Sequence, residues 1–302
     1  MKIQTRNVMS ANKQDNIVIS TFDAPLPKEM AQKAENAGTA KANLDALSTF
    51  ALAVLAGAFI ALGAIFATIV WTTPEGVPWG WSRLLGGLVF SLGLILVVVG
   101  GAELFTGNNL IIMAWASRRF STLRLMRNWL IVYWGNMVGA VATAVIVFLT
   151  RQFQMANGAV GMTALNIGLA KVQLDFVPAL MLGVLCNALV CLAVWLCFSA
   201  RSTIDKIAAI IFPITAFVAA GFEHCVANMY FVPIAILIKV GAPESFWQMA
   251  GASPANYQDL GWASFLVHNL IPVTLGNIIG GAVLVGIVYW LVYLRRKHDS
   301  PA

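Results

Sequence analysis

Six apolar segments, at about 47–71, 84–117, 128–150, 177–199, 207–239 and 264–294, decide which solvent this chain can fold in. A helix needs about 20 apolar residues to cross a hydrocarbon core of about 30 Å, and each segment supplies them. One soluble core has no room for six such segments. The residues are 59% hydrophobic and 11% charged, whereas about a quarter of the residues in a soluble domain are charged. Runs this long and this apolar predict membrane-spanning helices, because a helix satisfies its backbone within the segment. The expected fold is all-α and polytopic, with six transmembrane helices.

The formal charge of +6 is sorted by topology rather than gathered for nucleic acid, so no nucleic-acid partner is expected. Six Lys and Arg residues precede residue 46; the others on the same side are Arg118, Arg119, Arg124, Arg127, Arg201, Lys206, Arg295, Arg296 and Lys297. Only Arg83, Arg151, Lys171 and Lys239 fall in the other connections. Positive charge marks the cytoplasmic side, so both termini are expected in the cytoplasm. The chain divides into a cytoplasmic N-terminal segment (1–46), a membrane domain (47–294) and a cytoplasmic tail (295–302). Residues 1–45 are polar and lack an apolar stretch, so they do not read as a cleaved signal peptide. Pro27 to Asp45 reads as a short polar helix with Pro27 in its first turn. Cys186, Cys191, Cys197 and Cys225 all lie in apolar segments without metal-ligand spacing; they read as small buried hydrophobes, and no metal or cofactor is expected.

The second and fifth segments are each roughly 33 residues, about 50 Å as straight helices and longer than the core. Both offer a break. Gly101-Ala-Glu103 is followed by Asn108, and Gly221-Phe-Glu223 by Asn228. The next segment repeats as well: Gly135-Asn136-Met-Val-Gly139 against Gly276-Asn277-Ile-Ile-Gly280. A three-helix unit, about 47–150 and 177–294, is used twice. An odd helix count turns the second copy over, and paired interrupted helices in an inverted repeat point to the translocation site.

Glu103 and Glu223 are the only acids inside apolar segments, and both lie in the breaks. Two readings stand for them: groups of a translocation site, or structural groups that support the broken helices together with Asn136. His224 is the one histidine at mid-span; its counterpart in the first repeat is Leu104. A lone histidine on an apolar face is ordinarily a hydrogen-bonded core residue, but in a break it gains the capacity to exchange a proton near pH 6.5. A weak-acid anion protonated there would cross the dry constriction as the neutral acid. Thr106, Asn136 and Asn277 offer hydroxyl or amide groups for an anion or for helix contacts. Phe90, Leu94, Leu104, Phe105 and Phe217 read as core packing or as hydrophobic constrictions.

The stretches Gly101-Ala-Glu-Leu-Phe-Thr106, Val190-Cys-Leu-Ala-Val-Trp195, Gly221-Phe-Glu-His-Cys-Val-Ala-Asn228 and Pro272-Val-Thr-Leu-Gly-Asn-Ile-Ile-Gly-Gly281 resemble the formate/nitrite transporter family, most of all its formate channels. The resemblance runs from about residue 28 to 297. It implies an aquaporin-like fold and a homopentamer with one pore per protomer. It implies a substrate and proton-exchange site of Thr106, Lys171, His224 and Asn277, and constrictions at Phe90, Leu94, Leu104 and Phe217 with Phe105 adjoining. From the residues alone Lys171 is a solvated loop residue. Glu103 stands where many formate channels carry Asp, and Gly107-Asn108 replaces a more serine-rich run, both beside the family's mobile loop.

The expected function is passage of formate across a bacterial cytoplasmic (inner) membrane, with proton symport through His224 at low pH and lipid as the surrounding solvent. Nitrite and hydrosulfide are the alternatives within the family. The polar N-terminal segment beside the pore mouth is the expected seat of any cytoplasmic gating partner. A neutral-solute facilitator would carry paired Asn-Pro-Ala boxes, whereas Ser253-Pro254-Ala255 has no Asn. An intramembrane enzyme built on Glu223 and His224 would lack a nucleophile or metal cluster beside them, so an enzyme is not expected.

Overall fold

The computed structural model describes residues 24–72 and 76–295. Residues 1–23 of the expected N-terminal segment and 296–302 of the tail, with Arg296, Lys297 and His298, lie outside the described residues. Among the described residues the chain is all-helical. Helix α1 (Pro27–Asn43) precedes α2 (Ala46–Trp71) and α3 (Trp79–Gly100). A break at 101–106 leads through a 3-10 turn (Gly107–Ile111) into the short α4 (Ile112–Ala116), and α5 (Thr122–Leu149) closes the first unit. The second unit holds α6 (Ala159–Val172), α7 (Phe176–Cys197), α8 (Thr203–Ala219) and α9 (Cys225–Gly241), with α10 (Glu244–Ala250) bent from α9 by 108°. The last helix, α11 (262–293), is α-helical with two π-helical stretches, Phe265–Leu270 and Ile279–Ile287.

α2, α3, α5, α7 and α11 are each long and apolar enough to span a bilayer. The remaining crossing is made in two pieces, α8 and α9, as α3 and α4 make theirs. The fold is thus six crossings in an inverted repeat, with the second and fifth broken. α2 packs between α3 and α5, and α7 between α8 and α11. Caps set the starts: Asp45 Oδ1 accepts from Ser48 N at the head of α2, and Ser202 and Asp205 form a reciprocal box on α8.

Small residues set the helix spacing. A Cβ on Gly139 would lie 1.9 Å from the Val54 carbonyl oxygen, and one on Gly280 would lie 2.1 Å from that of Val184. The Gly-x-x-x-Gly pairs therefore bring α5 onto α2 and α11 onto α7 at backbone contact.

The repeat is longer than the sequence reading placed it. Helix α6, unanticipated in the connection after 150, is the counterpart of α1. Each carries a lysine in its last turn, Lys41 and Lys171. α1 is packed rather than solvated: Met30, Ala31, Ala34, Glu35 and Ala42 are buried, and Arg119 donates to both Glu35 carboxylate oxygens at 3.1 Å. Trp71 stacks inward on Phe231, whereas Trp79 and Trp81 are exposed, as aromatic side chains at a membrane interface are.

Candidate functional site

The two breaks have the same construction. Gly101 ends α3 at φ 77° and Gly221 follows α8 at φ 76°, left-handed values that favour glycine. Beyond them a few residues run without helical bonds, inside the protein, so their backbone groups need other partners. Asn136 supplies them in the first unit: its Nδ2 donates to the carbonyls of Ala53 (2.8 Å) and Glu103 (2.9 Å), and its Oδ1 accepts from Phe105 N at 2.9 Å. Asn277 does the same in the second: Nδ2 to the carbonyls of Gly183 (2.8 Å) and Glu223 (2.9 Å), Oδ1 from Cys225 N at 2.9 Å. The amide of Asn277, anticipated at the pore, is committed to backbone as Asn136 is.

The glutamate side chains take side-chain partners rather than backbone N–H groups. Glu103 pairs with Lys41 at 2.6 Å and accepts from Asn108 at 2.7 Å. Glu223 pairs with Lys171 at 2.8 Å and accepts from Asn228 at 2.7 Å and Asn269 at 3.1 Å. Asn128 Nδ2 donates to the Lys41 carbonyl, and Asn269 Nδ2 to the Lys171 carbonyl. Each break is thus braced by one Lys–Glu pair and two asparagines. Asn108 and Asn228 marked the repeat in the sequence without a role, and Lys41, Asn128 and Asn269 were not singled out. A signal for Lys41 was available in Lys41-x-x-x-Asp45 against Lys171-x-x-x-Asp175.

Thr106 and His224 bring the two breaks together. Thr106 is fully buried and His224 is 3% exposed, and their side chains meet at 2.9 Å between Oγ1 and Nε2. Nδ1 of His224 accepts from Ala227 N at 3.0 Å, as the N-cap of α9. An acceptor Nδ1 places the proton of the neutral ring on Nε2, so His224 donates to Thr106. The Thr106 carbonyl accepts from Asn187 Nδ2 at 3.3 Å and Cys191 Sγ at 3.3 Å, which holds the residue in place.

Each break lines a cavity. The His224 cavity, about 250 Å³, is lined by His224, Lys171, Glu223, Phe90 and Phe217 among others. The Glu103 cavity, about 300 Å³, is lined by Glu103, Lys41, Leu94 and Leu104 among others. Phe90 meets Phe217 edge to face at 5.8 Å, and Phe217 stacks on His224 at 5.9 Å. Phe90 and Phe217 line the His224 cavity, and Leu94 and Leu104 line the Glu103 cavity. Phe105 stands apart from them, packed against Tyr133 (5.0 Å) and Trp129 (6.2 Å). A cavity lined by His224, and a second lined by Leu104 and Gly107 on either side of Thr106 in the chain, suit a small solute that is stripped of water, held by hydrogen bonds and released.

A family model described as "Formate/nitrite transporter" matches residues 28–291. The chain is 46% identical to the "Formate channel FocA" of Escherichia coli (strain K12) over 276 residues, 91% of this chain and 97% of that one. It is 44% identical to the "Formate channel FocA" of Haemophilus influenzae over 272 residues, 90% of this chain and 95% of that one. A solved structure described as "Pentameric formate channel with formate bound" superposes with a TM-score of 0.79 at 52% identity, covering 83% of this chain and 98% of that one.

Proposed function

Because the chain belongs to the formate/nitrite transporter family, we propose that it passes formate across the bacterial cytoplasmic membrane as a homopentamer, with both termini inside and the Glu103 cavity facing the cytoplasm. Membership of a family of channels and transporters sets the enzyme alternative aside. The observation that carries the substrate reading is the buried Thr106–His224 hydrogen bond that joins the two breaks, with His224 in the wall of a cavity. Formate arriving there accepts from the Thr106 hydroxyl, whose oxygen already accepts from His224 Nε2–H. Lys171 lies along the approach, its charge shared with Glu223. The pentamer and the choice of formate are supported by the similar pentameric structure with formate bound.

The same geometry supports proton exchange. Nδ1 takes a proton delivered through the His224 cavity and releases the Ala227 N–H. Nε2 gives its proton through Thr106 to formate, which leaves as the neutral acid. One proton enters at Nδ1 and one departs from Nε2, and the ring regains its first tautomer by exchange with water. Protonation thus competes with the cap of α9, so proton-coupled passage is a low-pH mode. Asn277 holds the break rather than the anion. Any cytoplasmic gating partner would act through α1, which carries Lys41 to the Glu103 cavity.

The test is anion flux into proteoliposomes, formate against nitrite and hydrosulfide, at neutral and acidic pH, with wild type, His224→Phe and Thr106→Val. Formate-preferring flux with a pH response that His224→Phe abolishes is the expected result. A pH response unchanged in His224→Phe would end the proton role. Preference for nitrite or hydrosulfide would move the chain to another branch of the family.

A further inference from the structure

The His224 cavity has three charged side chains in its lining apart from the histidine: Arg83, Lys171 and Glu223. Lys171 and Glu223 cancel in their ion pair. Among the described residues Arg83 has no carboxylate within salt-bridge distance. The surplus positive charge of the cavity is therefore that of Arg83, an always-charged guanidinium.

Arg83 is also held still. Its Nη2 donates to the Val218 carbonyl at 2.7 Å and its Nε to that of Ala219 at 3.1 Å, at the end of α8. Its guanidinium lies 5.0 Å over the Trp71 ring. Trp71 stacks on Phe231 at 6.1 Å, and Lys171 Nζ lies 5.4 Å over Phe231. One aromatic pair thus carries a cation at each end. Trp71 reaches this position because residue 86 is glycine: a Cβ there would lie 1.9 Å from the indole Nε1. The two carbonyls use two of the five guanidinium N–H groups, which leaves three donors on a fixed plane at the cavity wall.

The Glu103 cavity repeats the count with different residues. Lys41 and Glu103 cancel, and Lys206, half-buried in the lining, is the surplus cation. Lys206 lies near the start of α8 as Arg83 lies near the start of α3. Each long piece of a broken helix thus begins at one mouth with a cation that has no carboxylate partner among the described residues, and ends at the break beside the other.

We infer that Arg83 is the anion-gathering cation of the His224 cavity, concentrating small monovalent anions there ahead of the Thr106–His224 pair, and that Lys206 has this role at the Glu103 cavity. The inference rests on the anion-channel reading above. A single charge in a low-dielectric cleft raises the local anion concentration and the capture rate, and salt screens the effect.

The test is initial uptake of labelled formate into right-side-out membrane vesicles at low formate, across a range of ionic strength. Arg83→Gln is expected to slow uptake about three- to tenfold at low ionic strength, with the gap closing near 1 M salt. Arg83→Lys, which keeps the charge, is expected to keep most of the rate and its salt slope. Because Arg83 also ties down the end of α8, Lys206→Gln provides a variant without that tie, and it is expected to slow efflux in the same salt-dependent way. An Arg83→Gln rate with the wild-type salt slope overturns the inference, as does an Arg83→Lys rate that falls as far as that of Gln. Wild-type vesicles that pass no formate would refute the channel reading itself, and the same assay separates that outcome.

Discussion

Replacing Asn277 by alanine separates a substrate ligand from a helix-break support. The side chain holds Cys225 N–H and the Glu223 carbonyl at 2.9 Å each, and the Gly183 carbonyl at 2.8 Å. The Gly183 carbonyl lies inside α7, where a helical bond also serves it. The other two groups belong to the break and lose the partner that Asn277 supplies. A buried polar group left unpaired costs about 1–3 kcal/mol, so the variant is expected to lose about 2–6 kcal/mol. Asn136→Ala removes the matching bonds to Phe105 N–H and to the Glu103 and Ala53 carbonyls, and is expected to lose a similar amount. The assay is thermal loss of the assembled species on size-exclusion chromatography in detergent, with formate flux measured on what survives. Both variants should melt together, well below wild type, with flux falling in proportion to folded protein. If Asn277→Ala keeps the wild-type melting temperature and instead weakens apparent formate affinity while Asn136→Ala does not, the backbone role assigned to Asn277 is wrong.

Lys171→Met leaves the 6%-exposed Glu223 side chain without its cation, at a cost of about 3–5 kcal/mol; adding Glu223→Gln should recover much of the melting temperature, and a double variant no better than the single would contradict it. Gly280→Ala places a methyl 2.1 Å from the Val184 carbonyl oxygen and should separate α11 from α7 at about 1–3 kcal/mol, read as a lower melting temperature, with Gly139→Ala behaving alike on α5 and α2. The docking of α1 also has a pH signature. Burial works to raise the Glu35 carboxyl, but hydrogen bonds led by that from Arg119 outweigh it and hold it below its usual range. A depressed value stabilises docking above the unfolded carboxylate pKa, about 4.3, and the contribution fades only as pH falls below it. Hydrogen exchange of 27–43, corrected for intrinsic rate, should therefore stay flat from pH 7 to 5, and Glu35→Gln should raise it at both.

The sequence by itself determined the solvent, the number of crossings and the place of the breaks. Those features are local: a run of apolar side chains, a glycine that permits a left-handed turn, and a carboxylate where lipid tolerates none. The repetition of Gly-x-Glu and of Gly-Asn then placed the two breaks in one inverted repeat. Tertiary structure decided what the polar residues do. Asn277 and Thr106 are equally plausible anion ligands on paper. Packing gives the amide of one to the backbone across α7 and the break, and the hydroxyl of the other to His224, 118 positions away. Lys171 reads as a loop residue because α6 has too few apolar residues to announce a crossing; its role exists only because the fold sets it beside Glu223. Arg83 and Trp71 carried signals of charge and aromaticity, but their cation–π contact needed Gly86 to clear the space. Hydrophobic patterning fixes where a segment lies, because transfer free energy is a property of the segment. The partner of a buried polar group is a property of two segments, and it is settled only when close packing brings them within hydrogen-bond reach.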